Sequence, residues 1–234
     1  MSLMAPHWLI AVVLFVSAMA PLTGQAGMTR DEVMAFEANK SKAEKGDAEA
    51  QHQLGISYGN NKGVAKDDIK AVFWYRKAAE QGHSDAQFFL GRRYMAGQGV
   101  EMDKPQAVTW IRKSAEQGNV SAQLELAHCL FNGNGSDKDQ MQAIAWWHKA
   151  AEQGSVAAYI MLAVRYEDGV GVAKNEIEAY AYWNLAGAQS RTSRDNLAEL
   201  ETKMSRDEIA AGQKRTKELQ KEIEAKIAAK KAEK

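Results

Sequence analysis

Glu80-Gln81-Gly82, Glu116-Gln117-Gly118 and Glu152-Gln153-Gly154 decide the fold: one tripeptide, met again every 36 residues. Glu44-Lys45-Gly46 is a worn copy ahead of them, so the glycines at 46, 82, 118 and 154 share the period. Working outward, Ala50, Ala86, Ala122 and Ala158 form one column, and Leu54, Leu90, Leu126 and Leu162 another. Gly63, Gly99, Gly135 and Gly171 line up, as do Ala71, Ala107, Ala143 and Ala179, then Trp74, Trp110, Trp146 and Tyr182. Self-similarity at a fixed period of this size is the mark of a stacked-repeat architecture. The expected fold is all-α: a right-handed α/α superhelical solenoid of four 36-residue helix-turn-helix repeats with helical caps.

Within a copy, the residues read as two helices, A and B. In the second copy Gly82 closes the preceding helix, where a residue without Cβ takes the left-handed conformation. Ser84 is expected to cap helix A, in which Ala86, Leu90 and Tyr94 recur every four residues as one apolar stripe. Gly97-Gln98-Gly99 turns the chain, Asp103 caps helix B, and Pro105 sits in its first turn, where a missing N–H costs little. Ala107, Trp110 and Ala115 continue the inward face, so the Trp column reads as core. One such pair cannot bury its apolar side alone; stacked on neighbours it can.

The repeats are assigned to 46–81, 82–117, 118–153 and 154–189, with caps on either side. Thr29-x-x-Glu32 is a capping box opening a helix over 28–45 that matches the second half of a repeat. In the 190–234 segment, Ser193 to Met204 imitates a degraded helix A, and Ser205-x-x-Glu208 opens a long charged helix. Its apolar stripe (Ile209, Leu219, Ile223, Ile227) is thin and broken at Gly212. This predicts a solvent-facing cap, with docking on a partner or a second copy as the other reading.

Lys plus Arg and Asp plus Glu balance at 30 each, which argues against a nucleic-acid binder, whose affinity rests on clustered positive charge. The first 26 residues carry no charged side chain, and their apolar run from Trp8 to about Ala20 is shorter than the ~20 residues a membrane span needs. Followed by Gly24, Gln25, Ala26 and Gly27, the run reads as a signal peptide over 1–26, cleaved after Ala26; an uncleaved anchor is the other reading. The expectation is a periplasmic or secreted chain, monomeric and without stable membrane insertion. Cys129 is the only cysteine, so no disulfide can staple the fold.

Ala86-Gln87-Phe88-Phe89-Leu90-Gly91-Arg92-Arg93-Tyr94, followed by Gly97-Gln98-Gly99-Val100, resembles the Sel-one-like repeat, a relative of the tetratricopeptide repeat. So does Asp67, Ala71 and Trp74-Tyr75-Arg76-Lys77-Ala78-Ala79-Glu80-Gln81 in the first copy. The resemblance covers 46–189. Asn61 stands in place of the first loop glycine in copy one, Ser136 in place of Val in copy three, and Ala127 and Ala163 in place of the helix A glycine. The resemblance implies a superhelix acting as an adaptor for protein partners in the cell envelope, in signalling or secretion. One secreted branch, with a cysteine pair per repeat, is associated with β-lactam binding, but a single cysteine removes that branch's defining feature here.

No catalytic constellation stands out, so the chain is read as a scaffold and not as a cell-wall or β-lactam hydrolase. None of the five histidines forms a His-x-x-x-His or His-Glu-x-x-His pair, so neither a metal nor a cofactor is expected. Cys129 is either a small packed residue or a partly exposed thiol. Positions that vary between copies on helix A are free of the stacking constraint, and the family likeness places helix A on the concave face. Phe88, Phe89, Arg92, Met95, His128 and Phe131 then surround one patch, with the aromatic, Met and Arg character of an interface hot spot. The alternative is that some of them complete helix–helix contacts, since Phe88 and Phe89 cannot both face solvent comfortably.

Overall fold

The computed structural model describes residues 28–232, and the signal peptide expected over 1–26 lies outside them. Eleven α-helices follow one another among the described residues. α1 (Arg30–Glu44) precedes four A/B pairs: α2 (Ala48–Asn60) with α3 (Asp68–Glu80), α4 (Ser84–Ala96) with α5 (Lys104–Glu116), α6 (Val120–Asn132) with α7 (Gln140–Ala151), and α8 (Val156–Asp168) with α9 (Glu176–Gly187). α10 (Arg191–Glu201) and the 27-residue α11 (Arg206–Ala232) close the stack. From α1 to α10 each helix packs on the next in sequence, and α11 returns to lie on α9.

Polar caps set the helix starts. Thr29 and Glu32 exchange hydrogen bonds as a capping box, as do Ser205 and Glu208. Asp67, Asp103, Asp139 and Asn175 cap the four B helices. Helix A of copy two is capped one residue earlier than expected. His83 has extended backbone, and its Nδ1 accepts from the Ala86 N–H, in the place held by Asp47, Asn119 and Ser155 elsewhere. Ser84 instead faces Ser114, the two hydroxyls lying 3.1 Å apart.

The loop after each A helix explains two residue choices. Asn61 takes φ +58°, the left-handed value that Gly97, Gly133 and Gly169 supply elsewhere; Asn is among the few residues that tolerate it. The second loop glycine lies against the preceding B helix. A Cβ on Gly99 would collide with the Asp68 carbonyl, and one on Gly135 with that of Lys104. Gly63 meets the Glu32 carbonyl of α1 in the same way, at the same spacing of 31 residues. α1 thus occupies the place of a B helix ahead of copy one.

A buried polar ladder runs through the stack. Gln51, Gln87 and Gln123, each at most 5 % exposed, donate from Nε2 to the carbonyls of Ala43, Ala79 and Ala115 on the preceding B-position helix. Their Oε1 atoms accept from Gln81, Gln117 and Gln153, the glutamines of the recurring tripeptide, at 2.6–2.8 Å. Each amide thereby ties together three successive helices. In copy four Tyr159 replaces the glutamine and stacks on Tyr182 instead.

Only the second half of the Trp column is core: Trp146 and Tyr182 are 7 % and 3 % exposed. Trp74 and Trp110 are only half-buried, and Trp74, Trp110 and Trp146 are overlaid by Lys77, Lys113 and Lys149. The next column (Tyr75, Ile111, Trp147, Trp183) is at most 3 % exposed. Each of these lies four residues beyond a fully buried alanine (Ala71, Ala107, Ala143, Ala179), on the centre of the inward face. The tryptophans stand about 100° to one side.

The C-terminal helix also departs from expectation. Gly212 is its closest approach to the stack: an added Cβ would lie 2.6 Å from the Tyr180 ring. Gly212, Thr216, Leu219 and Ile223 are all buried, so the stripe continues through the glycine. Lys226 pairs with Glu152, and Lys230 donates to Gln153, which extends α11 past copy four to the end of copy three.

Two outcomes follow. Ile111→Ala should lower unfolding free energy by about 2–5 kcal/mol, and Trp110→Ala by roughly half as much or less, in urea titrations of the two variants. Gln87→Leu, which strands the Ala79 carbonyl and the Gln117 amide, should cost about 1–3 kcal/mol in the same measurement.

Candidate functional site

α4 and α6 carry the residues that vary between copies two and three. Helical spacing sets Phe88, Arg92 and Met95 along one side of α4, and His128 and Phe131 along one side of α6. Arg92 is exposed and its guanidinium lies 5.9 Å from the Phe88 ring centre, while Met95 Sδ accepts from the Asn134 amide of the next copy at 3.6 Å. His128 is exposed too, and it shares the Trp147 ring with Phe131 at centroid separations of 5.5 and 5.4 Å. Arg165, from copy four, covers Phe131 at 4.8 Å.

Phe89 leaves this surface. It stacks on Tyr75 at 5.5 Å with 12° between the rings, and lies 5.6 Å from His52, both in copy one. Phe88 packs instead on the core cluster that runs from α5 of its own copy onward. The two adjacent phenylalanines thus join different core clusters, with their rings still 5.6 Å apart. Phe131 is half-buried on Trp147, so its first role is packing. Arg92 and His128 are the exposed polar heads of the patch.

Cys129 is 2 % exposed, and burial pushes its thiol up to about 11. It is the packed residue of the two readings and holds its proton at neutral pH, which leaves it a poor nucleophile.

Two groupings escaped motif reading because the stack, not the chain, assembles them. His52 and His83, 31 residues apart, lie with ring centres 4.6 Å apart beside Glu49. Under α11 a cavity of about 310 Å³ is lined by His148, Tyr166, Tyr182, Glu178, Arg215 and Glu222. There His148 Nε2 lies 3.2 Å from the Tyr166 hydroxyl and Nδ1 3.2 Å from that of Tyr182. Arg215 Nε donates to Glu178 at 2.7 Å, joining α11 to α9. No helix among the described residues is long and apolar enough to cross a membrane.

The Sel1 repeat model matches this sequence four times in tandem, at 48–83, 84–119, 120–155 and 156–190. The chain belongs to the Sel1 repeat family. Sel1 repeat proteins are in general scaffolds for protein interaction. Among solved structures, the chain is similar to a Sel1 repeat protein from Oxalobacter formigenes: 31 % identity, TM-score 0.68, over 73 % of this chain and 50 % of that one. It is also similar to a protective antigen of uropathogenic Escherichia coli strains that displays an SLR fold, with 29 % identity, TM-score 0.51, and 88 % and 52 % of the two chains covered. The Sel1 chain described here thus spans about half the length of each. No curated protein matches it.

His148, hydrogen-bonded to Tyr166 and Tyr182, makes the stability of the stack sensitive to pH. Burial holds its imidazole below the ordinary histidine value of ~6.5. The unfolded chain therefore binds a proton more readily than the native one, and stability falls as pH drops below about 6.5. Urea titrations at pH 7.5 and pH 5 should show this loss, and His148→Gln should reduce it.

Proposed function

We propose that this chain is an exported adaptor that holds a peptide or protein partner on the helix A surface of copies two and three. One observation carries the reading. Arg92 and His128, at positions the stack leaves free, stand exposed on an aromatic and methionine base of Phe88, Met95 and Phe131. An exposed guanidinium and imidazole over rigid apolar side chains is the composition of an energetic hot spot. The family's general use as interaction scaffolds supports the same reading. The charge-free leader 1–26 supports export to the periplasm or beyond, in an envelope signalling or secretion context.

A self-assembly role for α11 has less support, since its apolar stripe is already spent on α9 of the same chain.

The test uses the exposed heads, because Phe131→Ala would also remove packing on Trp147. Arg92→Ala combined with His128→Ala should abolish partner capture in crosslinking from the native compartment, with helicity and melting temperature unchanged. Undiminished capture by the double variant would refute the assignment of the patch.

A further inference from the structure

We propose that Glu49, His52 and His83 form a binding site for a divalent transition-metal ion of the zinc type, with two imidazoles and one carboxylate as ligands and a fourth position open to solvent. The donor atoms of the three side chains lie within 4.8 Å of one another. Glu49 and His52 stand three residues apart on one face of α2, and His83 arrives from the N-cap of α4. Ligand atoms held ~2.0–2.1 Å from zinc in a tetrahedron sit about 3.4 Å from each other. The closure required is small, and Glu49, with its side chain 64 % exposed, can rotate to make it.

The second observation is His52 itself. It is 5 % exposed, and neither ring nitrogen finds a hydrogen-bond partner among the described residues. The same column holds Phe88, Leu124 and Ile160 in the other copies, so packing alone asks for an apolar side chain there. A buried imidazole with two unsatisfied nitrogens is destabilising, and a ligand role accounts for it. The Glu49–His83 contact, by contrast, is an ordinary link of the stack: Asn119 reaches Asp85 the same way, at 2.6 Å. Only between copies one and two does a third donor join that link.

Protonation is consistent with ligation. Burial, and then neighbouring His83, hold His52 below the ordinary histidine value, so it presents a neutral ring at pH 7. His83 Nδ1 accepts from the Ala86 N–H at 3.3 Å, which puts its proton on Nε2, donated to Glu49 at 2.8 Å. A metal ion at Nε2 takes that proton's place and the proton moves to Nδ1. The long cap bond is given up, no net proton is released, and carboxylate and imidazole become ligands of one ion.

The experiment uses the full chain without an affinity tag, stripped with a chelator. Zinc titration by calorimetry should give one equivalent per chain, and cobalt should give the visible bands of a tetrahedral site. Two variants borrow residues the chain itself places in the next copies: His52→Leu, after Leu124, and His83→Asn, after Asn119, which keeps the N-cap. Each should weaken zinc binding by more than roughly tenfold with helicity unchanged, while Glu116→Gln, an exposed carboxylate of the next copy, should bind as the parent does. Absence of saturable zinc binding by the parent, or parental affinity in either variant, would overturn the site. The partner-capture experiment on Arg92 and His128 is independent of this outcome.

Discussion

A glutamine side chain that cannot reach water holds this stack in register. Gln51, Gln87 and Gln123 each satisfy a carbonyl on the preceding helix and accept from the tripeptide glutamine on the following one. An unpaired amide buried this deeply is expensive, so the hydrogen bonds act mainly as a positional constraint. Three helices must meet at one spacing or an amide is stranded. The alanines and leucines around the ladder supply apolar burial, but they would tolerate sliding that the amides do not.

The ladder ends where copy four has Tyr159 in place of glutamine, and there another device takes over. Tyr159 and Tyr166 stack on Tyr182, and α11 lies along α9 with Gly212 against Tyr180. The terminal unit of a solenoid must cover an apolar face that no further repeat will bury. α1 does this at the start by taking a B-helix place. α11 does it at the end, and is long enough to reach back to Glu152 and Gln153 with its lysines.

With register fixed by repeated residues, the differing residues on the A helices become available for other work, although packing claims several. Phe89 goes to Tyr75 and His52, and Phe131 to Trp147. Arg92 on α4 and His128 on α6 remain exposed, as does Glu49 beside a buried histidine on α2. The two places differ in chemistry: one is a cation over aromatic rings, the other a set of neutral and anionic donors.

The 36-residue period by itself determined the two helices of each repeat, the cap at Asp103, the turns and the family, because those depend on local backbone preferences and on columns visible as identity. It also placed Asn61 in a loop-glycine column, while local Thr/Ser-x-x-Glu spacing gave the capping boxes at Thr29 and Ser205. Which large residue fills the core was legible only in part. Trp74, Trp110 and Trp146 drew the eye by being alike, whereas Tyr75, Ile111, Trp147 and Trp183 differ in type and share only their position on the inward face. Tertiary structure alone decided that Gly212 is a contact and not a break, that His83 and not Ser84 is the cap, and that Phe88 and Phe89 join different core clusters. It alone brought His52 to His83, since stacking joins residues some 31 positions apart, a separation at which no motif within one helix can register a neighbour.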